Sequence, residues 1–155
     1  VDLNNTKRKP ITEEELEDYI ISLFESQGYL YSRGNEIQRE SYYEVFLLED
    51  LTRFLKPKYP KLDHFDCYSD IRHIADDLQR EDKQFHDFNK NFFKNLSDEI
   101  TYIRERDGEK FSISLIDFKN PTNNIFRVVN QLAVEGSSPR RVDLVVYING
   151  IPFVI

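Results

Sequence analysis

Three short apolar runs close the chain, Phe126–Val134, Val142–Ile148 and Ile151–Ile155, rich in Val and Ile and parted by Gly, Pro, Ser and Asn. β-Branched side chains suit a pleated surface and the intervening residues tolerate turn geometry, so the stretch Leu115–Ile155 is committed to strands. One acidic residue interrupts the three runs. Asp143 stands at the mouth of Leu144-Val145-Val146-Tyr147-Ile148, and a carboxylate in a core-forming strand is costly to bury unless hydrogen-bonded, paired or bound to a cation. On the residues alone two readings are open: an Asp that hydrogen-bonds a turn at a strand start, or a ligand for a hard cation. Asn149-Gly150 then marks a hairpin. A two-residue turn there sets Asp143 opposite an even-numbered position; a three-residue loop with Gly in a left-handed bulge sets it opposite an odd one.

The preceding residues read as helices. Val1–Pro10, with Lys7-Arg8-Lys9, is a polar, frayed terminus. Thr12-Glu13-Glu14-Glu15 is a capping box. Leu16, Tyr19, Ile20, Leu23 and Phe24 follow at helical spacing, and Gly28 ends the helix. Tyr29–Arg39 is a polar connection with Gly34-Asn35 as its turn. A second helix is expected from about Ser41 to Leu55, carrying Val45, Leu48, Leu51, Phe54 and Leu55 on one face and stopped by Pro57 and Pro60. Ser69–Leu78 and Asp82–Leu96 read as two more. Glu99–Arg106 and Lys110–Phe118 form a hairpin across Asp107-Gly108, which the later strands extend into one sheet. Helices first and a mainly antiparallel sheet after predict an α+β or mixed α/β protein, one domain over residues 1–155, with a helical insertion after the first helix.

Composition excludes several classes. At 155 residues folding buries roughly 70% of the unfolded surface, and twelve Phe with nine Tyr argue against disorder. No apolar run approaches the ~18 residues of a membrane helix, and Val1–Pro10 lacks the apolar centre of a signal peptide, so a cytoplasmic protein without membrane contact is expected. Cys67 is alone, which rules out an internal disulfide. His64, His73 and His86 with Cys67 match no zinc-ligand spacing. No glycine precedes Lys-Ser or Lys-Thr, so ATP is not bound here. There is no Met, so the chain reads as part of a longer one or a processed form. The net charge of −7 has the wrong sign for a lone nucleic-acid binder; if this chain meets DNA, something else delivers it.

Beyond these readings the C-terminal stretch resembles a known family. Leu115-Ile116-Asp117-Phe118, Asn120-Pro121, Asn123-Asn124, Phe126, Val128-Val129-Asn130-Gln131, Arg140-Arg141, Asp143 and Asn149-Gly150-Ile151-Pro152 fit the N-terminal nuclease domain of type I restriction enzyme R subunits. Val142 stands where that family usually has Pro. The resemblance implies a restriction-endonuclease-like mixed sheet flanked by helices, and a PD-(D/E)xK site in which Asp143 ligates Mg²⁺. It also implies double-stranded DNA cleavage in an ATP-driven complex with methylation and specificity subunits, the ATP motor lying C-terminal to this chain. The family's Glu-x-Lys would fall just beyond Ile155, so the chain on its own is expected to be inactive. Phosphodiester hydrolysis needs hard oxygen ligands for the cation and a positive group to orient water, which explains that trio.

The first helix resembles the opening of the same domain, where a helix acid can reach the metal site. Glu17 and Glu13 are the candidates, against a reading as solvated first-turn acids. Arg140 and Arg141 either contact phosphates beside the cut or only solubilise a loop. Asp117, Asn130 and Gln131 line the site or satisfy turns and strand edges; the resemblance assigns them no role. Two rival functions stand beside the nuclease: a catalytically silent docking module for the motor or partner subunits, and a stand-alone metal nuclease of the same fold, which the acidic charge disfavours.

Overall fold

The computed structural model describes residues 9–37, 45–63, 67–80, 99–134 and 140–154. The predicted Asp82–Leu96 helix, His64 and His86 lie outside them. The first helix, α1 (Glu13–Ser26), begins as its capping box requires: Thr12 Oγ1 accepts the Glu15 N–H at 3.2 Å while the Thr12 N–H donates to Glu15 Oε2 at 3.1 Å. Gly28, at φ +92°, turns the chain out of the helix. Tyr29 then packs edge-on against Phe24 and meets Phe126, which ties the end of α1 to a strand far along the chain.

The helix does not bury the face its apolar spacing predicts. Leu16, Tyr19 and Leu23 are exposed, Ile21 is buried, and Glu17, Ile20 and Phe24 are half-buried. The inward face is therefore Glu17-Ile20-Ile21-Phe24, which shares only Ile20 and Phe24 with the predicted stripe. A polar partner for Glu17, described below, decides that rotation.

Tyr29–Arg39 is not simply a connection. Leu30–Arg33 forms strand β1, followed by a 3₁₀ turn, Gly34–Glu36. β1 runs parallel to β4 (Phe126–Val134), with Tyr31 beside Val128 and Arg33 beside Asn130. Its backbone bonds come from that distant partner, and Leu30 at its start remains exposed, so little apolar alternation marks it in the sequence.

The main sheet has the order β1-β4-β5-β6, with β5 spanning Arg140–Ile148 and β6 Ile151–Val154; both β4·β5 and β5·β6 are antiparallel. Asn149-Gly150 is a two-residue turn, with Ile148 opposite Ile151 and both turn residues at positive φ, 54° and 79°. A bulge follows at once. Tyr147 pairs with Pro152 but Val146 pairs with Val154, so the register past it is the one the longer loop would have produced.

The remaining elements form the helical layer. α2 (Leu48–Lys58) starts later than predicted, because the Leu47 N–H donates to Gly150 O at 2.8 Å and is held on the hairpin turn. Pro57 sits inside its last turn rather than stopping it. α3 (Cys67–Arg80) brackets the predicted Ser69–Leu78. The Asp107-Gly108 hairpin exists as β2 (Ile100–Ile103) and β3 (Lys110–Ile113), but it makes its own two-stranded sheet. The reason is where its apolar face goes: Tyr102, Phe111 and Ile113 pack with Leu51, Phe54, Ile71 and Ile74 of α2 and α3. Among the described residues, three α-helices, a four-stranded mixed sheet and a two-stranded sheet make an α+β fold.

Buried charges pin the layers together. Arg127 of β4 donates to both oxygens of buried Asp50 in α2, at 2.7 and 3.2 Å, and to Ser32 Oγ of β1 at 2.7 Å. Asp70 of α3 accepts from Tyr102 Oη at 2.6 Å, from Arg104 at 2.9 Å and from the Asp63 N–H at 2.8 Å. Burial, reinforced by Asp70, pushes the Tyr102 phenol pKa up. In such places a paired carboxylate is tolerated because its lone pairs are filled.

Candidate functional site

The densely patterned residues of the C-terminal third divide into two groups. One is a lock. Asp117 accepts the backbone N–H groups of Lys119 and Asn120, the Asn123 amide and Lys58 Nζ, holding the Asn120–Asn124 turn. These donors, the Asn120 N–H foremost, hold its pKa down to about 2. Asn124 Oδ1 accepts the Asp117 N–H and the Asn149 amide. Fully buried Asn149 donates to Leu115 O and accepts the Ile125 N–H. That web fixes the hairpin turn and the start of β4, so Asp117 holds a turn rather than lining the cleft.

The other group lines a cleft of about 680 Å³ bounded by the first turns of α1, the end of β1, and the β4 and β5 backbones. Glu13, Glu14, Glu17 and Asp18 come from α1, Tyr31 and Arg33 from β1, Asn130 and Gln131 from β4, and Asp143 from β5. Two predicted site residues, Asp143 and Glu17, thus share one cavity, and Glu13 joins them. Arg140 and Arg141 begin β5 opposite Val134 and Ala133; their side chains lie outside the described structure.

Asp143 is exposed, and among the described residues its carboxylate has no hydrogen-bond or ion-pair partner. The turn-bonded reading is therefore not what these residues adopt. The register places it directly across from Gln131, between the pairs Asn130↔Leu144 and Leu132↔Val142. Glu17 is held by two amides, Asn130 Nδ2 on Oε1 at 2.9 Å and Gln131 Nε2 on Oε2 at 3.0 Å, and Tyr31 Oη donates to Asn130 Oδ1 at 2.9 Å. The roles of Asn130 and Gln131, open in the sequence, are thus to line the cleft. Their signal was present: two adjacent amides set between the apolar pairs Val128-Val129 and Leu132-Ala133.

The donor set fits Mg²⁺. The lining has no Cys or His, its donors are carboxylates and amides, and each Glu17 oxygen keeps a lone pair beyond its one amide bond. Among the described residues no group of three or more His, Cys, Asp and Glu is arranged to cage a metal, and Mg²⁺ is commonly bound through one or two carboxylates plus substrate phosphate and water. Asp143 and Glu17 would be its protein ligands. Arg33 is the one cation in the lining among the described residues.

A sheet edged by a short parallel strand, with a helix acid and a strand acid lining one cleft at its end, makes this an α+β protein with an acid-lined cleft. The chain belongs to the family described as type I restriction enzyme R protein N terminus (HSDR_N), whose profile matches residues 10–155. It is 32% identical over 158 aligned positions to a protein of Methanocaldococcus jannaschii provisionally named type I restriction enzyme MjaIXP endonuclease subunit. That alignment covers 90% of this chain and 15% of the relative, so the chain spans a small part of its relative's length. No helix among the described residues is long and apolar enough to cross a membrane.

Proposed function

We propose that this chain is the nuclease region of a type I restriction R protein and cuts double-stranded DNA with Mg²⁺ held at Asp143 and Glu17. The observation that carries the reading is the convergence of those two acids on one cleft from elements at opposite ends of the chain. When bound, Mg²⁺ supplies Lewis-acid stabilisation of charge developing on the phosphate. Asp143 and Glu17 would hold the cation through hard oxygens. Arg33, which lines the same cleft, would meet a phosphate oxygen, as guanidinium groups suit that geometry. The family's Glu-x-Lys would complete the site from the strand that leaves the Asn149-Gly150 hairpin, and Arg140 and Arg141, three and two residues before Asp143, would meet the DNA backbone.

Five acids line the cleft and the net charge is −7, so DNA is held by other parts of the assembly: methylation and specificity subunits and an ATP-driven motor. Asp143→Ala in the intact R protein, assembled with its partners, tests the reading on supercoiled DNA with ATP and Mg²⁺. Cleavage should fall roughly 100-fold or more, equivalent to about 2.7 kcal/mol of lost transition-state stabilisation, with ATP hydrolysis retained. Undiminished cleavage would sink the assignment.

A docking role is the second reading, and one observation favours it. Leu16, Tyr19 and Leu23 project from α1 as an exposed apolar stripe, a surface suited to a partner helix or motor face.

A further inference from the structure

Consecutive residues of a regular strand point to opposite faces, yet neighbours Asn130 and Gln131 both reach one carboxylate. Each donates to a different oxygen of Glu17. The break that allows this is at Gln131, a non-glycine residue at φ +53° in the middle of β4. Its effect is visible in the packing: Val129 and Leu132, three positions apart, join the same core cluster with Val145 and Tyr147, where regular alternation would separate them. Gly34 makes room for it. A Cβ at that position would stand 2.8 Å from both the Gln131 carbonyl carbon and Leu132 Cα, and closer still to the Gln131 oxygen. Tyr31 sets the orientation of Asn130 by donating to Oδ1, which turns Nδ2 toward Glu17.

A left-handed, non-glycine residue in a strand persists only where its surroundings over-determine it, and such residues cluster at functional sites. This one lies directly across the ladder from Asp143. We propose that Asn130 and Gln131 are positioning residues: a pair of amides that fixes the Glu17 carboxylate in the cleft Asp143 lines, so that helix acid and strand acid act on one hard cation. The inference rests on the cation-site reading above and adds the device that aims its second ligand. Supporting groups of this kind typically change metal affinity 10- to 100-fold when removed.

The test is a Mn²⁺ titration of the intact R protein without nucleotide, followed by electron paramagnetic resonance, counting only the binding lost in Asp143→Asn. Gln131→Gly is the main variant, because glycine adopts the left-handed conformation freely and deletes only the amide. Asn130→Ala is the second, deleting the other amide of the pair. Each should weaken Mn²⁺ by about 10- to 100-fold. In a Glu17→Gln background Gln131→Gly should add nothing, since its action runs through Glu17. Wild-type affinity in both amide variants, with Asp143→Asn still losing the site, overturns the amide pair and spares the cation site. An equal further loss in the Glu17→Gln background also overturns it, in favour of a general structural role. Undiminished Mn²⁺ binding by Asp143→Asn removes the cation-site reading itself.

Discussion

Gly34→Ala probes the kink without touching any acid. In open space the change would favour the folded chain by about 0.5–1 kcal/mol, because alanine loses less backbone entropy than glycine and Gly34 is not in the left-handed region. The space is not open. The added methyl carbon would stand under 3 Å from three atoms of the Gln131–Leu132 backbone, and none can move aside by a rotamer change. Overpacking of this kind costs roughly 1–3 kcal/mol, and the upper end applies because the obstacle is main chain in a strand paired on both sides. The net expectation is a loss of about 1–2.5 kcal/mol, from those two ranges. With a urea m-value of about 2 kcal/mol/M, the unfolding midpoint should fall by roughly 0.5–1.2 M. Gly108→Ala is the control: its φ is +68° and nothing lies within 4 Å of the added carbon, so only the backbone term of about 1 kcal/mol acts. Gly34→Ala should also exchange the Gln131 and Leu132 amides faster than Gly108→Ala does. A midpoint at or above wild type for Gly34→Ala would refute the close-approach argument, and with it the reason for glycine there.

Other outcomes are expected from the buried polar groups. Asp50→Ala strands the Arg127 guanidinium against β4, and should cost about 3–5 kcal/mol, read as a fall in the denaturation midpoint; a loss below 1 kcal/mol would show the pair to be dispensable. Asn149→Gly keeps the positive φ but removes bonds to Leu115, Asn124 and Ile125, so a loss of roughly 2–3 kcal/mol is expected by calorimetry. Asp117, whose folded pKa is depressed to about 2, stabilises the fold above its usual carboxylate pKa and loses that contribution as pH falls from about 4 toward 2. Melting temperature should therefore drop across that window, and less steeply in Asp117→Asn; parallel curves would contradict the turn-holding role.

How far the residues alone carried the fold depends on whether the deciding partner was local. The capping box of α1 needs only residues Thr12 and Glu15, and it forms. On the same helix two apolar phases overlap, and amides far along the chain select the one containing Glu17. β1 is not legible in the sequence for the same reason: its ladder comes from β4, and its side chains carry too little apolar contrast. The hairpin Ile100–Ile103/Lys110–Ile113 was legible, but its separation from the main sheet was not, since that follows from packing on α2 and α3. Within the patterned C-terminal third, Asp117 and Gln131 looked alike as polar residues on a matched segment. Geometry alone distinguishes one as a turn anchor from the other as part of the cleft.

The two amides on Glu17 lie 113 and 114 residues downstream of it, and that distance becomes time during synthesis. At about 5–20 residues per second, α1 leaves the ribosome roughly 6–23 s before the strand that orients its acid. Until then Glu17 has no assigned direction, and Asp143 is later still. A growing chain therefore carries α1 and the helical layer before it carries the cleft, whose walls meet only when the sheet closes.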